Sequence, residues 1–188
     1  MDDIVRQAMA KWPDVPDCFG WLGLDSRGQW WMRDDRAQAF GAFQSGVPGA
    51  KGSVLRHEKL IDFIHRNYEA DADGCWFFQN GPQKVFVELE AAPWVFGVQW
   101  LDGVFRVETH TGRPVPSVDA VLVDEHGRLF LHTPLGLGLV RSADMDTAAD
   151  AVVGGLWAPQ EVAFAELPVR FGYDLSPQRR GSIAVARA

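Results

Sequence analysis

The chain has 188 residues, 25 of them acidic and 18 basic, for a net charge of −7. That length suits one mid-sized domain or two small ones, and 47% hydrophobic with 23% charged residues is the balance of a globular chain, not a disordered one. The acidic excess argues against a protein that grips nucleic-acid phosphates, and no run approaches the length of a membrane-spanning helix.

Residues 2–12 place Ile4, Val5, Ala8, Met9 and Trp12 near helical spacing, which predicts a short amphipathic helix stopped by Pro13 and Pro16. In FGWLGLDSRGQWWMRDD (19–35) two apolar runs flank Asp25-Ser26-Arg27-Gly28, the pattern of a β-hairpin. The Gly- and Pro-rich loop QSGVPGAKG (44–52) follows. Ser53 is then read as the N-cap of a helix reaching Tyr68, with His57, Leu60, Ile61, Ile64 and Tyr68 on one face.

From Cys75 to Val140 the pattern is β throughout. Strands are expected at 75–79, 84–90, 94–100, 103–109, 119–123, 128–133 and 136–141, separated by turn-forming residues. DMDTAADAVVGG (144–155) reads as a second helix ending at its glycines, VAFAELPV (162–169) as a last strand, and QRRGSIAVARA as a loose tail. WLGLDSRGQWWM (21–32) and AVLVDEHGRLFL (120–131) share one plan: an apolar run, Asp, two polar residues, Gly, a polar residue and a second apolar run. The repeat suggests two α+β halves with mostly antiparallel sheet, each with a helix, divided into 1–99 and 100–188.

Catalytic signatures are missing. The five histidines form neither HxH nor HExxH. DADG (71–74) lacks the later ligands of a calcium loop, and LGLGLV (135–140) lacks the third glycine and the Lys of a phosphate cradle, so its glycines are read as allowing close packing. There is no GxSxG. Cys18 and Cys75 are the only cysteines; two lone thiols without a secretory leader suit a reducing, cytoplasmic setting. No catalytic residue, metal or cofactor is expected.

The aromatic residues raise the remaining question. In CWFFQ, Trp76 and Phe78 point one way while Cys75 and Phe77 point the other, so that strand is covered on both faces. KVFVELE is read as half wet, with Glu88 and Glu90 on a solvent-facing side. Phe86 and Trp94, near turns, are the aromatics left to contact something else. Between Arg27 and Arg66 seven basic residues face four acidic ones, a local positive excess in an acidic chain.

GWLGLDSRGQWWMRDD, HEKLIDFIHRNY, GCWFFQNGPQKVFVELEAAPWV and VETHTGRPV together resemble an uncharacterised proteobacterial family carried as a domain of unknown function, over roughly residues 10–140. The chain is also similar to a related uncharacterised family with the same order of hairpin, helix, aromatic strand and QKV strand. That resemblance implies a duplicated α+β core, a C-terminal half like pleckstrin-homology folds, a nucleotide-like ligand between the halves and a signalling role.

The reading is a non-catalytic module binding a small anionic or nucleotide-like ligand between its halves, without nucleic acid or membrane as partner. Arg33, Arg36 and Lys84 are the expected anion contacts, Trp30 and Trp94 the apolar walls, and Arg113 the contribution of the second half. A hydrolase-like enzyme using Asp and His groups, or a protein–protein adaptor, is the alternative. Oligomeric state has no sequence signal.

Overall fold

The computed structural model describes residues 3–12 and 14–179. Two compact units share the chain: the first runs to Asp25, resumes over Gln29–Glu90 and takes the chain back from Tyr173, and the second holds Ser26–Gly28 and Ala91–Gly172.

The first unit contains α1 (Asp3–Lys11), β1 (Cys18–Leu24), β2 (Trp30–Met32), α2 (Asp35–Ala39), β3 (Ser53–Val54), α3 (Glu58–Arg66), β4 (Tyr68–Ala70), β5 (Trp76–Asn80) and β6 (Gln83–Leu89). Its sheet runs β3-β2-β1-β6-β5-β4. Neighbours are antiparallel except β1 and β6, the first and last long strands, which lie parallel at the centre.

The second unit contains β7 (Trp94–Leu101), β8 (Val104–Thr109), β9 (Ala120–Val123), β10 (Leu129–Thr133), β11 (Gly136–Val140), α4 (Met145–Val153), β12 (Gln160–Glu161) and α5 (Leu167–Phe171). The sheet order is β12-β9-β10-β11-β7-β8. Here too the first and last long strands, β7 and β11, are parallel neighbours inside a mostly antiparallel sheet. The architecture is α+β, with two strand-rich, six-stranded units. Residues 99 and 100, where the sequence suggested the division, lie inside β7; the units part at Glu90/Ala91 instead.

The repeated sequence plan is a repeated structure. Asp25 is buried at the end of β1, where its Oδ1 accepts the Gln29 N–H at 2.8 Å and its Oδ2 accepts the Trp31 indole N–H at 2.9 Å. Asp124 is buried at the end of β9. Its Oδ1 accepts the N–H groups of His126 and Arg128 at 3.0 and 2.8 Å, and its Oδ2 accepts Nε of Arg128 at 2.7 Å. Both aspartates close a turn by satisfying donors that the ladder leaves over. These hydrogen bonds hold the Asp124 carboxyl below its ordinary value, against the opposing effect of burial.

Three local expectations are corrected. Ser53 does not cap a helix, because Ser53 and Val54 pair with Met32 and Trp31 of β2; the helix begins at Glu58, capped by His57, whose Nδ1 accepts the Leu60 N–H. Residues 162–169 are not a strand: Phe164–Glu166 form a 3₁₀ turn leading into α5, and the Glu125 carboxylate accepts the Phe164 N–H at 2.8 Å. Trp12, counted on the apolar face of α1, lies past its end and is exposed. Of the tail, Gln178 is tied into the first unit, and residues 180–188 lie outside the described residues.

The core of the first unit confirms that β5 is covered on both faces. Phe77 packs with Phe86 and Cys75 on one side, and Phe86 in turn stacks on Phe19 at 4.6 Å. On the other side Phe78 meets Phe63 of α3 edge-on. β6 is not half wet: Val85, Phe86, Val87, Glu88 and Leu89 are all buried, because β6 lies inside the sheet between β1 and β5. Among the described residues no helix is long and apolar enough to cross a membrane.

Candidate functional site

The six residues expected at a site do different work. Arg33 is 1% exposed and donates from Nε to Ala50 O (2.8 Å), from Nη1 to Gly20 O (3.1 Å) and from Nη2 to Gly41 O (2.6 Å). It is a buried cation that ties the loops after β2 to β1. Glu88, at 0% exposed, accepts the Ser176 hydroxyl at 2.6 Å and the Gln178 N–H at 3.0 Å. Burial pushes its carboxyl above the ordinary value, while those hydrogen bonds and the charge of Arg33 pull the other way.

Trp30 is a core residue of the first unit. Its indole N–H donates to Nε2 of His65 at 2.9 Å and its ring meets Tyr68 edge-on. Burial holds the His65 imidazole below its ordinary value, which suits a ring nitrogen acting as acceptor. Arg36 is exposed on α2, and Lys84 places its ammonium 4.7 Å above the Phe77 ring. In the second unit Trp94 is buried, donates to Leu135 O at 2.6 Å and carries the Arg113 guanidinium 5.7 Å from its ring. Within the second unit Trp94 and Arg113 are thus in contact, and the buried Phe86 and Trp94 are not open platforms.

A different set of charges converges within the second unit, and strand alternation explains why. β7 and β8 pair with Gly97 opposite Glu108, Gln99 opposite Arg106 and Leu101 opposite Val104. Those residues therefore share one face of the hairpin. The Asp102-Gly103 turn between the strands, with φ of 52° and 80°, has the left-handed geometry of a two-residue hairpin loop. His110 extends the face beyond β8: its N–H donates to Val95 O at 2.7 Å, and its Nδ1 accepts the Val95 N–H at 3.2 Å. That bond leaves the imidazole proton on Nε2.

Over this face lies a hollow of about 300 Å³, whose lining includes Gly97, Gln99, Arg106, Glu108, Arg27 and Arg141. Arg27 comes from the 26–28 turn, which belongs to the second unit; a Cβ at Gly28 would stand 3.0 Å from Cβ of His110. Arg141 follows β11. Its Nε donates at 2.5 Å to Oδ2 of Asp144, and the same oxygen accepts the Val98 N–H at 2.8 Å. The guanidinium is thereby laid across Gly97, with Nη2 only 3.1 Å from where a Cβ on that residue would stand. Glycine at 97 is what lets a charged group lie flat on the strand.

A family model described as a protein of unknown function (DUF2946) matches residues 1–178. The chain belongs to that family, DUF2944. No curated protein matches it. Two solved structures of DUF1285 family proteins are similar to the DUF2944 chain. The Shewanella baltica OS155 protein shares 16% identity over 69% of this chain and 91% of its own, with a TM-score of 0.46. The Silicibacter pomeroyi DSS-3 protein shares 14% identity over 80% and 84%, with a TM-score of 0.47. The family model bears out the resemblance to a family of unknown function.

The DUF2944 chain carries two further surface features in its second unit. One is an apolar groove lined by Trp100, Val104, Phe105 and Leu156, of which Trp100, Val104 and Leu156 are more than half exposed. The other is a smaller hollow bordered by Arg27 and Arg128, where Arg128 is already engaged by Asp124. Among the described residues no group of three or more His, Cys, Asp or Glu is placed to hold a metal ion.

Sequence reasoning passed over Arg106 and Arg141, and counted Arg27 only in the positive excess between Arg27 and Arg66. A signal was present in VFRVETH (104–110), where Arg106, Glu108 and His110 recur at the period of a strand and so share a face. Arg141 and Arg27 had no such signal, because only the β11–β7 pairing and the assignment of the 26–28 turn to the second unit bring them there.

Proposed function

We propose that this DUF2944 protein is a non-catalytic module that binds a small anionic ligand in the hollow over β7 and β8. The observation that carries the reading is that three arginines, Arg27, Arg106 and Arg141, line one concavity of an acidic protein. Guanidinium groups are the side chains best suited to phosphate and carboxylate, offering paired donors in a fixed plane. Arg141 is held in advance by Asp144, which lowers the cost of ordering it around a ligand. A volume of about 300 Å³ lies at the small end of ligand sites.

Binding, with a regulatory consequence for whatever the protein acts upon, is the function this geometry supports. A thermal-shift panel of inorganic phosphate, phosphate esters, nucleotides and small carboxylates at low ionic strength tests it. At least one anion is expected to raise the melting temperature of the wild type and to do so far less in Arg141→Ala. A panel without any stabilising anion would overturn the reading.

A further inference from the structure

The hollow is not uniformly positive. Glu108 stands in its wall, directly across the β7–β8 ladder from Gly97, the residue over which the Arg141 guanidinium lies. Yet two of the arginines of the hollow take other carboxylates: Arg141 pairs with Asp144, and Arg106 with Asp102 at 3.7 Å. Among the described residues no ion pair joins Glu108 to either of them. The hollow therefore presents guanidinium groups and an uncommitted carboxylate side by side, with the Gln99 amide on the same face.

A simple anion would meet attraction from the arginines and repulsion from Glu108. A molecule with an anionic group and a primary ammonium group a few bonds apart would satisfy both. We infer that the hollow selects a small zwitterion, with its phosphate or carboxylate on the arginines and its ammonium on Glu108. Amino acids and phosphorylated amino alcohols share this chemistry, and the compact volume suits molecules of that size. The inference rests on the anion-binding reading and adds to it the role of Glu108.

Two matched pairs of probes test it by calorimetric titration: inorganic phosphate against phosphoethanolamine, and acetate against glycine. In the wild type, the ammonium-bearing member of at least one pair is expected to bind about tenfold more tightly than its partner. In Glu108→Gln that preference should vanish while the plain anion binds as well as before or better. Glu108 is exposed on its strand, and an unchanged unfolding midpoint would show that the variant is folded. Equal affinities within both pairs, or a preference that survives Glu108→Gln, would overturn the inference and leave the anion-binding reading standing. Absence of binding by all four probes would overturn both.

Discussion

Nη2 of Arg141 lies 3.1 Å from where a side chain on Gly97 would begin. The position of this guanidinium, a proposed binding group, is thus set by an absence of atoms in the neighbouring strand. Gly97→Ala would place a methyl group under the guanidinium, and the crowded atoms belong to the ends of flexible side chains, Arg141 and Asp144. The fold should yield easily, with a change in unfolding free energy within about 0.5 kcal/mol, while affinity for a small anion falls several-fold. Urea unfolding and calorimetry on the same variant separate the two effects.

Gly138 provides the contrast. A Cβ there would stand 2.3 Å from the Phe96 ring and 2.7 Å from Cβ of Trp94, inside the packed β11–β7 pair. Gly138→Ala should therefore cost about 1–3 kcal/mol of stability through overpacking. A loss no greater than that of Gly97→Ala, measured by urea unfolding, would show that the strand pair has room the structure does not give it.

Arg33 and Arg36 stand three residues apart and are expected to behave oppositely. Removing the Arg33 side chain strands the carbonyls of Ala50, Gly20 and Gly41 and takes a positive charge from the neighbourhood of buried Glu88. Arg33→Ala should lose about 3 kcal/mol or more. Arg36→Ala, at an exposed position, should stay within about 0.5 kcal/mol of the wild type. Equal denaturant midpoints for the two variants would contradict the structural role given to Arg33.

Glu88 makes stability depend on pH with a definite sign. Its folded-state value is raised above the ordinary 4.5, so the folded protein holds the proton more tightly than the unfolded chain does. The stability this group contributes is complete below that ordinary value and is lost as pH rises through the folded value. Glu88→Gln cannot ionise and escapes this loss. Between about pH 4 and pH 7 the difference in unfolding free energy should move steadily in favour of the variant. A difference that is flat, or that moves toward the wild type, would contradict the assignment.

Much of the fold was legible because the strands carry clear period-two patterns bounded by turn residues, and the Asp25 and Asp124 turns repeat one device that sequence similarity exposed. What escaped was decided by partners distant in sequence. Ser53 and Val54 read as a helix start until β2 offers them a ladder. Glu88 read as a wet position until Ser176 and Gln178 return to it, and Phe164 read as strand until Glu125 satisfies its N–H. Local propensity is a weak prior against such pairings.

Three of the residues expected at a site are buried for a related reason. Runs of basic and aromatic residues mark composition, whereas burial decides use: Arg33, Trp30 and Trp94 were consumed by the cores of their own units. The arginines that do converge are spread between positions 27 and 141, in segments whose sequence resembles ordinary hairpins.

The hollow over β7 and β8 is proposed to bind anions through its arginines. Calorimetric titration of inorganic phosphate into the wild type, Arg141→Ala and Arg113→Ala at low ionic strength tests it most directly. Arg113 is a fitting control, since it rests over Trp94 and is not among the residues lining the hollow. Saturable binding to the wild type is expected, with affinity weakened about tenfold in Arg141→Ala and unchanged in Arg113→Ala. Absence of binding to the wild type, or equal affinity in Arg141→Ala, would contradict it.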